Sequence, residues 1–298
     1  MINNEIDIFE FLTPEINMNK IFSFLFLVVT FNLSAQSPLK FDKRYVQCED
    51  KWVAFPADST GVYNFGFIYI DETAGLTLEY GDTFKIDDKG KFITEKKVKI
   101  NSMKYRLQPN NNLVALIPES KLKELYVDKV PDWLKNYKRD ENSIIRLFRW
   151  GFMYNGWNEC EKALEYLEKA NKIDPDLKGL RVELAYSYNC LGRYQDAITV
   201  LQKALELNPL DAYTNKELIY AEIKNGNLDN ARVVCRKVFK ECQDKTYNPE
   251  NAYNILHAFF LKKDVANFKS WLAESDTYLI GDPKFGSSVE QMKKEFKQ

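Results

Sequence analysis

The chain has 298 residues, with 42 Lys and Arg against 43 Asp and Glu, a formal charge of −1, and 14% aromatic residues. So even a balance supplies no net field for nucleic acid or an anionic membrane surface, and the length allows one to three domains. The single histidine, His257, excludes any metal site that takes two or more histidines from one chain.

The N-terminus reads as a targeting signal. Met18-Asn19-Lys20 is a short basic start, Ile21 to Leu33 is an apolar run broken only by Ser, Thr and Asn, and Ser34-Ala35-Gln36 resembles a cleavage site, although Leu33 is larger than the usual small residue there. Such a run is short for a membrane span and suits a signal-peptide core. Residues 18–35 are therefore expected to be a signal peptide. Residues 1–17, acidic through Glu5, Asp7, Glu10 and Glu15, are read as an upstream or misassigned extension, with Met18 the better initiator. The expectation is an exported protein, periplasmic or extracellular, without stable membrane insertion after cleavage. Anchoring by an uncleaved segment is the alternative.

Residues 36–118 change to period two. Tyr63, Phe65, Phe67 and Tyr69 alternate with Asn64, Gly66, Ile68 and Ile70, and Leu76, Leu78 and Tyr80 follow in the same way. Asp87-Asp88-Lys89-Gly90 is a hairpin-turn signal before a strand over Phe92 to Ile100, and Leu113 to Ile117 is a last short strand. This pattern predicts a small antiparallel β domain, a sandwich or half-barrel, and accounts for the high aromatic share. Residues 119–143 are predicted to be a linker with short helices at Glu119 to Tyr126 and Pro131 to Tyr137.

From Ile144 the period changes again. Aligned at Ile144, Lys178 and Ala212, 34 residues apart, the seventh column reads Trp150, Leu184, Leu218, and the eighth reads Gly151, Ala185, Ile219. The twentieth is alanine throughout, Ala163, Ala197 and Ala231, and the twenty-fourth is Leu167, Leu201, Cys235. A small residue at column 8, from which Ile219 departs, against one at column 20 lets two helices approach closely, and mostly large apolar ones at 7, 11 (Tyr154, Tyr188) and 24 fill the space between pairs. Gly192 and Gly226 end the first helix of their units, and Pro175 and Pro209 close the second. This pattern resembles the tetratricopeptide repeat family over residues 144–243, about a third of the chain. The resemblance implies a right-handed superhelical array of helix pairs with a concave binding surface, so the fold class is α+β, a small antiparallel β domain followed by an all-α array.

Several positions depart from the family pattern. Asn158 stands where the first turn glycine belongs, and Glu222 occupies an aromatic column. Residues 244–298 are read as a degenerate fourth helix pair, from Asn248-Pro249-Glu250 and from Phe268 to Tyr278, that caps the array. Of the five cysteines, Cys160, Cys190, Cys235 and Cys242 fall in or at the ends of array helices and are expected to be apolar fillers in thiol form, a disulfide being the alternative.

In this family the groove columns of the first helix are 2, 5, 6, 9, 12 and 13. Column 9 is Phe152, Tyr186, Tyr220, an aromatic stripe, flanked by Arg149, Asn155, Glu183, Asn189, Lys216, Glu217 and Lys224. These ten residues are the expected binding site, the tyrosines giving contact area and the asparagines bonding an extended backbone. The Lys/Asn/Arg clamp with which some members grip C-terminal carboxylates is absent. The reading is therefore a non-catalytic adaptor without cofactor or metal whose partner is a protein or peptide. The alternatives are an envelope enzyme acting on a carbohydrate or other polymer through Asp71, Glu72, Glu79 and Asp82, and a purely structural envelope protein. His257, between Leu256 and Ala258-Phe259-Phe260, is expected to be a packed side chain.

Overall fold

The computed structural model describes residues 39–95 and 102–296. The extension and signal peptide expected at 1–35 lie outside the described residues, as does the end of the strand expected over Phe92–Ile100. Among the described residues no helix is long and apolar enough to cross a membrane.

One antiparallel sheet of seven strands opens the described fold: β1 (Phe41–Arg44), β2 (Lys51–Ala54), β3 (Tyr63–Asp71), β4 (Gly75–Ile86), β5 (Phe92–Ile93), β6 (Lys104–Arg106) and β7 (Leu113–Leu116). The order is β1-β7-β2-β3-β4-β5, with β6 also on β4. The Asp87–Gly90 turn joins β4 to β5 as expected, with Gly90 N–H donating to the Asp87 carbonyl at 2.9 Å. Strands β1, β2 and β6 were not anticipated, because they are short and carry no clean alternation; β6 is wholly exposed.

The strands form one sheet rather than a sandwich, and helical segments cover both of its faces. The aromatic side of β3, Phe65, Phe67 and Tyr69, packs with Trp52, Phe84 and Phe92 and with Leu122, Leu125, Leu134 and Trp133 of the linker. That linker consists of α1 (Glu119–Leu122), running on as a 3-10 turn, and a second 3-10 turn over Asp132–Tyr137. The aliphatic side, Ile68 and Ile70 with Val53, Leu76, Leu78 and Val114, joins Leu147, Trp150, Tyr154 and Trp157 of the first repeat in one core. Alternation in β3 thus sends aromatics one way and aliphatics the other, and binds the sheet to the array.

Helix pairs follow: α2 (Ile144–Gly156) with α3 (Cys160–Ile173), α4 (Leu180–Cys190) with α5 (Tyr194–Leu207), α6 (Ala212–Lys224) with α7 (Leu228–Glu241), and α8 (Asn248–Leu261) with α9 (Val265–Leu279). Close approach within a pair has the cause read from columns 8 and 20: a Cβ on Gly151 would lie 2.3 Å from Cγ of Leu167. Each intra-pair turn holds one residue at positive φ: Asn158 (58°), Gly192 (73°), Gly226 (88°) and Lys263 (55°). Asparagine tolerates that conformation better than most residues, so the departure at Asn158 leaves the turn intact. Helix α10 (Gly286–Glu295) was not expected; Val289 and Met292 are buried in the core of the fourth pair.

The cysteine reading is corrected at two positions. Cys160, the first residue of α3, and Cys190, the last of α4, form a disulfide with Cα atoms 6.2 Å apart. Neighbouring repeats bring these helix ends side by side across 30 residues of sequence, a proximity that the spacing within one helix could not disclose. Cys48, Cys235 and Cys242 are buried free thiols.

Candidate peptide-binding groove

The groove is built from the first helix of each pair. Where α2, α4 and α6 line up, a hollow of about 560 Å³ has a largely apolar wall of Phe148, Phe152, Leu177, Val182, Leu207 and Tyr213, with Asp176, Arg181, Glu183 and Asp211 around it. A second hollow of about 470 Å³ lies between the first repeat and the sheet, walled by Arg149, Phe152, Met153 and Trp157 on one side and by Thr73, Leu76 and Leu107 on the other. Phe152 lines both hollows and is 60% exposed, unusual for so large an apolar ring. The two hollows adjoin at Phe152, one beside the turn between β3 and β4 and the other reaching α6, and together make one candidate trough.

Of the ten residues expected from sequence, Arg149, Phe152 and Glu183 line the two hollows and the other seven line neither. Arg149 and Lys224 are exposed, and Tyr186, Tyr220 and Lys216 are half-buried. Arg149 pairs with Glu72 of the β3–β4 turn at 3.1 Å. Lys224 lies over the Tyr220 ring at 5.5 Å, and the other edge of that ring meets Tyr194. Lys216 sits over the rings of Tyr213 and Tyr247 and 2.8 Å from Glu217. Burial works against its charge, but Glu217 and Glu250 outweigh it, so the ammonium holds its proton more tightly than usual.

Asn155, Asn189 and Glu217 are buried and already engaged. Asn155 Nδ2 donates to the Glu183 carbonyl at 3.0 Å and to its carboxylate at 2.9 Å, and Asn189 Nδ2 repeats the contact to Glu217 at 3.3 and 3.0 Å. Each is a column-12 amide bonded to the column-6 glutamate of the next repeat. Their donors therefore hold neighbouring repeats in register, rather than standing open to a bound backbone as sequence reasoning expected. The half-buried Glu183 carboxyl has a pKa raised above its ordinary value, by burial first and then by the Glu217 charge, against the opposing bond from Asn155.

Several wall residues were missed. Phe148 and Tyr213 occupy columns 5 and 2, so the same column rule could have found them. Leu177 comes from the loop between repeats and Leu207 from the end of α5, outside the first-helix columns. The carboxylates weighed for catalysis serve local structure. Asp71 Oδ1 accepts from the Thr73 and Ala74 amides, Glu72 pairs with Arg149, Glu79 accepts from Ser102 Oγ at 2.8 Å, and Asp82 accepts from the Thr83 amide. His257 stacks on Tyr253 at 5.6 Å. Among the described residues no group of three or more His, Cys, Asp or Glu is placed to hold a metal.

Residues 180–209 match the family model described as tetratricopeptide repeat. Among solved structures, the chain is similar to MamA of MSR-1, at 16% identity and a TM-score of 0.42, over 53% of this chain and 87% of that one. It is also similar to MamA of AMB-1, at 16% identity and a TM-score of 0.41 over 49% and 84%, and to a Podosopora anserina kinesin light chain with nearly identical TPR-like repeats, at 15%, 0.39, 53% and 84%. No curated protein matches the chain. The family match covers residues 180–209, and the helix pairs, their 34-residue period and their shared turn geometry continue the same repeat arrangement over residues 144–243.

Proposed function

We propose that the protein is an exported, non-catalytic adaptor whose trough takes an extended segment of a partner protein. The observation that carries this reading is Phe152, whose exposed ring joins the hollow beside the sheet to the hollow between repeats. A continuous apolar wall with polar edges suits an extended chain that places alternate side chains against the aromatics. Phe152 is the principal contact inside the trough, with Phe148, Val182 and Tyr213 as the wall and Arg149 at the edge, and Tyr186, Tyr220, Lys216 and Lys224 extend the contact surface along α4 and α6 beyond the two hollows.

Export is supported by the apolar run after Lys20 and by the Cys160–Cys190 disulfide, a bond that persists in oxidising compartments. Mass spectrometry of the mature protein from its native host would give the N-terminus and the thiol count. Export predicts cleavage near Ala35 and three free thiols, and an intact N-terminus with five thiols would reject it.

Selection from a displayed peptide library against the full chain tests the groove. Selected peptides should lose about tenfold in affinity or more on Phe152→Ser or on the double change Tyr186→Ala and Tyr220→Ala. Equal binding by wild type and both variants would remove the trough from consideration.

A further inference from the structure

Beside the trough, and sharing Glu72 and Thr73 with its first hollow, lies a polar pocket of about 510 Å³ at the N-terminus of α2, between the β3–β4 turn and the linker. Arg146 forms part of its wall and is 4% exposed. Its guanidinium lies over the face of Trp150 at 4.6 Å, and Nη1 donates to the Arg139 carbonyl. Nε and Nη2 are buried and have no partner among the described residues, and Arg146 forms no ion pair there. An arginine cannot shed its charge, so two unpaired guanidinium donors are costly to bury, and the adjacent Nε and Nη2 present one fork suited to a planar bidentate acceptor.

The surroundings favour the same class of acceptor. Ser143 caps α2, and the positive end of that 13-residue helix opens beside the pocket. Asp71 and Glu72 also line it, but Asp71 is held by the turn amides and Glu72 by Arg149. With Glu72 paired to Arg149, Asp71 and Asp140 stand against the guanidiniums of Arg139 and Arg146. So even a balance opposes a doubly charged phosphate more than a singly charged carboxylate. We infer that this pocket binds a carboxylate, which Arg146 grips through Nε and Nη2.

The carboxylate could belong to a small acid or to a peptide's C-terminus, and neither source depends on the groove reading. Calorimetric titration of the full chain uses four probes: N-acetylglycine, N-acetylglycinamide, inorganic phosphate and a peptide ending in Gly with a free C-terminus. N-acetylglycine should bind and raise the melting temperature, whereas the amide should do neither and phosphate should bind more weakly. A peptide that binds more tightly than N-acetylglycine assigns the site to chain termini, and equal or weaker binding assigns it to small acids.

Arg146→Met keeps the contact with Trp150 while removing the charge. It should weaken N-acetylglycine about tenfold or more without lowering the melting temperature of the free protein. Arg146→Lys, which keeps the charge and loses the fork, should fall between the two. Indistinguishable behaviour of N-acetylglycine and its amide, tighter binding of phosphate, or undiminished binding by Arg146→Met would overturn the assignment.

Discussion

The two ends of the array are closed by different chemistry. At the first repeat the sheet supplies an aliphatic face, and charges frame it: Glu49 accepts from Tyr154 Oη and from Lys162 Nζ, Lys138 approaches both Glu49 and Asp50, and Arg44 pairs with Glu159. At the last pair α10 supplies aromatics: Phe285 stacks on Tyr253 at 4.5 Å, and Phe296 meets Phe260 at 5.0 Å and Phe268 at 4.8 Å. A solenoid must cover its terminal apolar face in either case. Apolar contact alone is non-directional, whereas paired charges fix one orientation at a desolvation cost. The trough needs an orientation at its first end, because the β3–β4 turn forms one of its walls. The last pair has no such wall to hold.

Trp271 is fully buried behind the aromatic end and donates Nε1–H to the Ala252 carbonyl at 2.9 Å. Trp271→Ala should cost about 3–5 kcal/mol in denaturant unfolding, with the loss concentrated in α8–α10. Opening the Cys160–Cys190 link, whose partners are 30 residues apart, should cost about 3–4 kcal/mol from loop entropy. That loss should appear in the first two repeats and leave the aromatic end unchanged.

Glu49→Gln should cost about 1–3 kcal/mol at neutral pH, since Lys162 and Lys138 lose their charged partner. This loss depends on pH. Burial pushes the Glu49 carboxyl upward, but the bonds from Lys162 and Tyr154 and the charges of Lys162 and Lys138 outweigh it and hold the group below the usual range. A depressed acid contributes stability above its unfolded pKa, near 4.3, and loses it as pH falls through the lower folded value. The gap between wild type and Glu49→Gln should therefore close on acidification below about pH 4. A gap independent of pH would assign the end to packing alone.

Smaller effects separate the joints within the array. Asn155→Ala should cost about 1–2 kcal/mol and Asn189→Ala less. The first also takes from Ser187 Oγ the shorter of its two bonds, to Asn155 Oδ1 at 2.8 Å, and leaves it the Glu183 carbonyl at 3.2 Å, whereas Glu217 keeps its pair with Lys216. Phe152→Ser should change stability by less than about 0.5 kcal/mol, because the ring is mostly in solvent.

The array was legible because its architecture is periodic: alanine at one column and small residues opposite it encode helix approach directly. Strand β3 was legible from its alternation, but the destinations of its two faces were not, since that requires knowing that the sheet abuts Leu147 and Trp150. The groove was half legible. A column rule points to residues of the first helices, and so found Phe152, which lines both hollows, but it also named Tyr186 and Tyr220, which line neither. It cannot tell an open amide from one claimed by the next repeat, which is why Asn155 and Asn189 were expected as ligands of a peptide. The disulfide and the Arg146 pocket join segments from different units and leave no mark in local spacing.

If the sheet holds the head of the trough, sheet and first repeat must open as one cooperative unit. Hydrogen exchange of the full chain, wild type against Glu49→Gln, distinguishes this from two independent parts. Amides of β3, β4 and α2 should lose protection together and by the same factor, while those of α8 and α9 keep theirs. Retained protection in β3 and β4 while α2 loses its own would mean that the sheet is an independent domain resting on the array, contradicting the account.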